Sequence, residues 1–226
     1  MMNTVLTKTY SPPPFDFGEI LRYLNAGKDF LSESQIAEYI RECENELTYK
    51  VCYLEFPLRK DGESFDFSFM KVHSSLLQKN LEGCSSVIVF SATIGLFIDR
   101  IISKYSKISP SKALFFQALG SERIESLVNT FNSEIESEFF KKGLYTRVRI
   151  SPGYGDFPLE CQKDILNALD SSRKIGVSLN ESLIMSPSKS VTAIIGISDT
   201  LSCSRKTGCS ICTKKDCVYR DDKNEC

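Results

Sequence analysis

The stretch from Pro110 to Lys142 constrains the fold most. Proline is confined to its first position and a single glycine, Gly120, lies inside it, so it can run as one helix. Proline suits a first helical turn, where its missing N–H has no partner to lose. At 1.5 Å per residue the helix would be roughly 45 Å long, and the rest of the fold has to be arranged around it. Gly120 is the point at which continuity is weakened.

On either side the pattern breaks into shorter pieces. Ser85-Ser86-Val87-Ile88-Val89-Phe90 is apolar and β-branched, which reads as a central strand. Val51–Phe56 and Phe65–Phe69 alternate or cluster as strands, with Asp61-Gly62 a turn signal between them. Tyr145–Ile150 reads as another strand, with more near Leu183 and from Val191 to Ile197. Helices are expected over Phe15–Asn25, from Ser32 or Ser34 through Ile36, Ile40, Cys43 and Leu47, over Ile94–Tyr105 and over Leu159–Asp170. The order and lengths predict an α+β fold: a mainly antiparallel, twisted β-sheet flanked by helices including one long helix. The expected divisions are an extended N-terminal arm (1–14, ending in Pro12-Pro13-Pro14), one domain (15–200) and a cysteine-rich C-terminal tail (201–226).

Composition removes several function classes. The 226 residues, 42% hydrophobic, make one generous domain or a domain with a short appendage. A net charge of −1 leaves no basic footprint for nucleic acid or an anionic membrane. Met1–Phe15 lacks an apolar core of signal-peptide type, and the weakly charged run Cys84–Ile98 is shorter than the ~20 residues of a membrane helix. The expected location is cytoplasmic, with no nucleic-acid and no membrane partner. There is no Gly-x-Gly-x-x-Gly loop, no Gly-x-x-x-x-Gly-Lys-Ser/Thr loop and no Gly-x-Ser-x-Gly elbow. His73, the single histidine, reads as a helix-start or packing residue.

The chemically richest segment is Arg149-Ile150-Ser151-Pro152-Gly153-Tyr154-Gly155-Asp156-Phe157-Pro158. Arginine's planar fork matches a carboxylate and stays charged at any working pH. Glycine permits close backbone approach, proline fixes the bend, and tyrosine adds a flat apolar face with a polar tip. These residues describe a pocket for a small zwitterion carrying an aromatic base. On its own, a hexapeptide of this kind reads as an ordinary turn beside a surface ion pair.

The Arg-x-x-x-Gly-Tyr spacing resembles the S-adenosylmethionine-binding motif of the cobalamin-dependent methionine synthase activation domain family. The resemblance continues in Gly176-Val177-Ser178-Leu179-Asn180-Glu181-Ser182, in Met185-Ser186-Pro187-Ser188-Lys189-Ser190-Val191, and upstream in Ala113–Glu125, covering roughly residues 85 to 200. It implies that Arg149 binds the methionine carboxylate, that the backbone of Ser151, Pro152 and Gly153 lines the adenosine, and that Tyr154 walls it. Glu125 then either complements the ligand's positive charge or is a solvated helix glutamate. Asp156 is either a helix-start residue or a ligand contact. Ser188 and Lys189 form either a plain hairpin or a surface toward a corrinoid partner. The implied cofactors are S-adenosylmethionine and a cobalamin held by a partner protein, and the implied partners are a cobalamin-binding methionine synthase or corrinoid protein and a flavodoxin or ferredoxin-like reductant. The Asp-x-His-x-x-Gly motif that grips cobalt is missing around Lys71-Val72-His73-Ser74-Ser75, so this chain is not expected to hold cobalamin by itself. Asp16 and Asp29 are both candidates for the family's first ligand-contacting segment, and Tyr219 does not match its late tyrosine.

Nine cysteines are present, five of them after residue 202. Cys203, Cys209, Cys212 and Cys217, with Cys226 beyond, have spacings that can converge on zinc or an iron–sulfur cluster. Lys206, Lys214, Lys215 and Arg220 would favour their thiolates. The other reading is a cysteine-rich tail without a fixed metal. Apart from the activation-domain resemblance, then, the chain also reads as an electron-transfer or zinc-stabilised interaction protein acting through this tail.

Overall fold

The computed structural model describes residues 4–24, 31–43 and 45–201. In chain order the elements are β1 (Leu6–Tyr10), α1 (Phe17–Leu24), α2 (Glu33–Cys43), β2 (Tyr49–Pro57), β3 (Arg59–Asp61), β4 (Ser64–Asp66), β5 (Lys71–His73), α3 (Ser75–Asn80), β6 (Cys84–Thr93), α4 (Phe97–Ile108), α5 (Pro110–Phe140), β7 (Tyr145–Thr146), α6 (Cys161–Ala168), α7 (Ser171–Ile175), β8 (Ser178–Leu179), β9 (Met185–Ser186) and β10 (Ser190–Ser198). The main sheet has five strands in the order β1-β2-β6-β10-β7, and every pair in it is antiparallel. The expected α+β architecture with a long helix is the one observed.

Successive strand residues point to opposite faces. On one face Tyr49, Val51, Tyr53, Ile88, Phe90, Ala92, Ala193, Ile195 and Ile197 join residues of α1, α2, α4 and α5 in one apolar cluster. On the other face Cys52, Val87, Val89 and Ile194 join α3, α6, Phe65, Phe67 and Val72 in a second. Both faces of β6 are therefore covered, which is why its sequence reads as a continuous apolar run.

The long helix starts at Pro110 as expected and ends at Phe140. Gly120 does not interrupt it. The N-terminal stretch is extended, but it belongs to the sheet: β1 pairs with β2 from Leu6 opposite Tyr53 to Tyr10 opposite Tyr49. Two of its half-buried side chains reach α5, Lys8 Nζ donating to Glu134 at 2.6 Å and the Tyr10 hydroxyl to the same carboxylate at 2.5 Å.

Four expectations need correction. The helix expected over Leu159–Asp170 is shorter, Cys161–Ala168, and a separate helix, α7, follows the left-handed Asp170 (φ 49). The strand expected over Tyr145–Ile150 pairs only at Tyr145–Thr146 and through an isolated bridge from Ile150 to Ile194. Leu183 is not in a strand: at φ 59 it turns the chain between β8 and β9. His73 ends β5, exposed, its ring nitrogen Nδ1 3.0 Å from the Glu63 carbonyl oxygen, and the helix that follows is capped by Ser74 instead.

Candidate functional site

The site is built where the irregular chain after β7 passes over α5. Asn80 at the end of α3 donates through Nδ2 to the Val148 carbonyl (3.1 Å), and Ile150 exchanges both backbone hydrogen bonds with Ile194 (2.9 Å each). Arg149, between these two tethers, is turned toward the helix. Its Nη2 donates to Glu125 Oε2 at 2.6 Å and its Nη1 to Asn129 Oδ1 at 2.8 Å. Glu125 and Asn129 are four residues apart and share one face of α5. The structure thus brings Arg149 and Glu125 together across 24 residues of sequence.

The pair is open to water, with the arginine side chain 26% and the glutamate 41% exposed. A guanidinium carries five N–H donors, and two of them are engaged here. A half-exposed pair of this kind is worth at most about 1 kcal/mol. The other three donors have no acceptor among the described residues.

Beyond Ile150 the chain closes a compact loop. Gly153 N–H donates to the Phe157 carbonyl (2.8 Å), Phe157 N–H to Tyr154 (3.0 Å) and Tyr154 N–H to Ser151 (3.3 Å). Phe157, 1% exposed, and the buried Pro152 anchor it, and Tyr154 at its tip is 68% exposed. Gly153 adopts φ +90, and a Cβ there would meet Leu159 Cδ1 at 3.1 Å. That positive φ is a conformation only glycine adopts readily. The Gly153 amide is engaged within the loop.

Asp156 is a helix-start residue, but of α3 and not of the helix that follows it. Its carboxylate accepts from Ser74 Oγ (2.6 Å), from Ser75 through both N–H and Oγ (2.6 Å each) and from Leu76 N–H (3.1 Å). The Ser74 and Ser75 hydroxyls, then the two amides, hold its pKa well below the usual carboxylate range. Helix α3 therefore braces the functional segment at both ends, through Asn80 and through Asp156.

Two residues that the sequence did not single out also lie at the site. Asn129 completes the grip on Arg149, and an asparagine on a helix surface carries no signal of its own. Tyr23 of α1 is raised in pKa by burial and then by the Glu125 charge, and the Arg22 guanidinium stacks on its ring at 4.5 Å. Asp16 lies at the N-terminus of α1, where its Oδ1 accepts from Glu19 N–H (3.0 Å), and its own N–H donates to Glu122 (3.1 Å). Asp29 and the cysteines Cys203, Cys209, Cys212, Cys217 and Cys226 lie outside the described residues. Among the described residues there is no cluster of three or more metal-ligating side chains.

Two concavities lie elsewhere. One is an open groove of about 630 Å³ along α4, and the other, about 350 Å³, lies beside Arg147. Neither is lined by Arg149. The Arg149–Glu125 pair is itself open to solvent.

The model of the vitamin B12 dependent methionine synthase activation domain family matches residues 77–202, more than half of the chain. The chain belongs to that family. The matched span contains α5, the loop after Arg149 and β10, that is, both partners of the ion pair. A crystal structure of the MetH reactivation domain bound to AdoHcy is similar to this activation-family chain with a TM-score of 0.58 at 16% sequence identity, over 85% of this chain and 78% of that one. At that identity the likeness is one of fold. No curated protein sequence matches. No helix among the described residues is long and apolar enough to cross a membrane.

Proposed function

We propose that this chain is an accessory subunit that reactivates a cobalamin-dependent methionine synthase or a related corrinoid methyltransferase, binding S-adenosylmethionine as methyl donor for the reductive methylation of cob(II)alamin held by a partner protein. The observation that carries the reading is the half-exposed Arg149–Glu125 pair on an open face beside the Gly153–Tyr154 loop. A zwitterionic amino acid offers a carboxylate and an ammonium side by side, which is the complement of a guanidinium beside a carboxylate. Arg149 takes the ligand carboxylate in bidentate fashion, and Glu125 takes the ammonium. Tyr154 offers its ring to the adenine, with Ser151, Pro152 and Gly153 shaping the slot. S-adenosylhomocysteine, with which the similar reactivation domain was crystallised, has the same amino-acid end.

The chemistry supplied by the bound groups is a methyl transfer, in which sulfur keeps the C–S bonding pair and cobalt, reduced by one electron from a flavodoxin or ferredoxin-like donor, takes the methyl. The residues of this chain have no proton to move at the reacting centre. Their task is to hold the sulfonium at a fixed height above an open face, because orientation of two reactants removes most of the entropic barrier to their meeting. The open setting of Arg149 suits a methyl group that has to be handed to another protein. The C-terminal cysteines enter as a metal site, at which an iron–sulfur cluster would relay the electron and zinc, having no redox chemistry, would act structurally. The proposed setting is the cytoplasm.

The test is transfer of labelled methyl from S-adenosylmethionine to an oxidised corrinoid protein in the presence of a reductant and this chain. Label on the corrinoid that depends on Arg149 is expected. Transfer that is unchanged by Arg149→Ala would contradict the proposal.

A further inference from the structure

Lys189 is fixed more firmly than a surface lysine. Its carbonyl oxygen accepts from Ile94 N–H at 3.2 Å, and it stands immediately before β10. Its side chain crosses α5 at Gly120: a Cβ at that position would meet Lys189 Cγ and Cε at 3.1 Å and Ile98 Cγ1 at 2.8 Å. The glycine that weakens the helix in sequence is the notch through which the lysine stem passes. Past the notch, Nζ donates to Ser121 Oγ at 2.9 Å. Lysines normally carry the ammonium out to water along an apolar stem. Here the ammonium is drawn back along the helix, and burial lowers its pKa against the opposing charge of Asp99.

Among the described residues this ammonium, with three donors, has one acceptor, a neutral hydroxyl. Asp99 does not take the others, and its carboxylate accepts from Ser188 N–H at 3.2 Å. Ser121 precedes Glu125 by four residues, so the two lie on the same face of α5 about 6 Å apart along the axis. The face presents an ammonium, a carboxylate and a guanidinium in that order. Ile150 faces Ile194 in antiparallel register, so the residues after Ile150 and those before Ile194 lie at the same end of the sheet. Lys189 and the Ser151–Tyr154 loop therefore both lie toward that end.

We propose that Lys189, oriented by Ser121, is the contact that recognises the ribose of the S-adenosyl ligand, its open donors reaching the 2′ and 3′ hydroxyl oxygens. The assignment rests on the amino-acid end lying at Arg149 and Glu125. A short thioether chain separates that end from the sugar, and one helical turn separates Glu125 from Ser121. The sugar diol is neutral and rich in acceptors, which is what a partly dehydrated ammonium with unused donors requires.

The experiment is calorimetric titration of the whole chain with S-adenosylhomocysteine and with its 2′,3′-dideoxyribose analogue. Lys189→Met keeps the stem across Gly120 and removes the charge. It is expected to weaken S-adenosylhomocysteine about tenfold, the loss of a charge-assisted hydrogen bond, and to leave the dideoxy analogue unchanged. Ser121→Ala should give a smaller loss with the same dependence on the diol, and Arg149→Ala should weaken both ligands alike. Thermal melts of each variant identify any that fails to fold, and Ser121→Ala then carries the test. Tight binding by Lys189→Met, stronger binding by it, or an equal loss on both ligands overturns the assignment to the ribose. Failure of the wild-type chain to bind S-adenosylhomocysteine at all would sink the Arg149 reading beneath it, a distinguishable result.

Discussion

Two arginine–glutamate pairs stand on or against α5 three residues apart, and they could hardly differ more. Arg123 and Glu122 are 0% and 1% exposed. Arg123 donates twice to Glu122 (2.5 Å each), to the Pro13 carbonyl (2.5 Å) and to the Pro14 carbonyl (2.8 Å), and its guanidinium stacks 3.9 Å from the Phe15 ring centroid. Glu122 also accepts from Asp16 N–H (3.1 Å) and Ser126 Oγ (2.6 Å). That pair uses four of its five donors to pin the triproline segment and the start of α1 onto the long helix. Arg149 and Glu125 use two donors and face water. A charged pair with its valences filled holds structure together, and one with valences open is available to a ligand. Sequence alone does not separate the two, since all four residues are ordinary for a helix and a strand end.

The contrast breaks most visibly in stability. Arg123→Met should cost about 3–5 kcal/mol, because it leaves Glu122 charged and buried without its partner, and denaturant melts measure it directly. Arg149→Ala should cost under about 1 kcal/mol in the same melts while reducing affinity for S-adenosylhomocysteine about 10- to 100-fold in calorimetry. The reverse pattern, an unstable Arg149 variant and a tolerant Arg123 variant, would dissolve the distinction. Tyr154→Ala should weaken the same ligand about fivefold, toward the low end for base–aromatic stacking because the ring is so exposed. Its loss should be absent for a ligand without the adenine.

The smallest effect concerns the brace at Asp156. Its pKa is depressed in the folded chain, so the stabilisation it gives is present above the ordinary carboxylate value of about 4 and is lost as pH falls from there toward the lowered value. Asp156→Asn should therefore melt below wild type at neutral pH, with the gap closing as pH falls below about 4. Affinity at neutral pH should fall about threefold, through loosening of the loop, with Arg149 still in place. A gap that widens in acid would assign the effect to another group.

The architecture was largely readable in the residues. Ser85–Phe90 announced a strand covered on both faces, and Pro110 announced the start of α5. The N-terminal strand β1 was not readable, because Leu6 and Thr7 are both exposed and its stabilising contacts, Glu134 and β2, are remote in sequence. The separate helix α7 was hidden because Asp170 carries no glycine-like signal for its left-handed backbone. At the site, Arg149, Gly153 and Tyr154 stood out by spacing, and Glu125 by its place in a resembling helix. Asn129, Tyr23 and the passage of Lys189 over Gly120 did not, since each acquires meaning only from a neighbour brought close by folding.

The central claim is that Arg149 grips the carboxylate of an S-adenosyl ligand. It is tested most directly by comparing S-adenosylhomocysteine with methylthioadenosine, which lacks the amino-acid end, on wild type and Arg149→Ala. Tighter wild-type binding of S-adenosylhomocysteine, with that preference erased by the substitution, is the predicted result. Equal wild-type affinity for the two, or a preference that survives loss of the guanidinium, would contradict it.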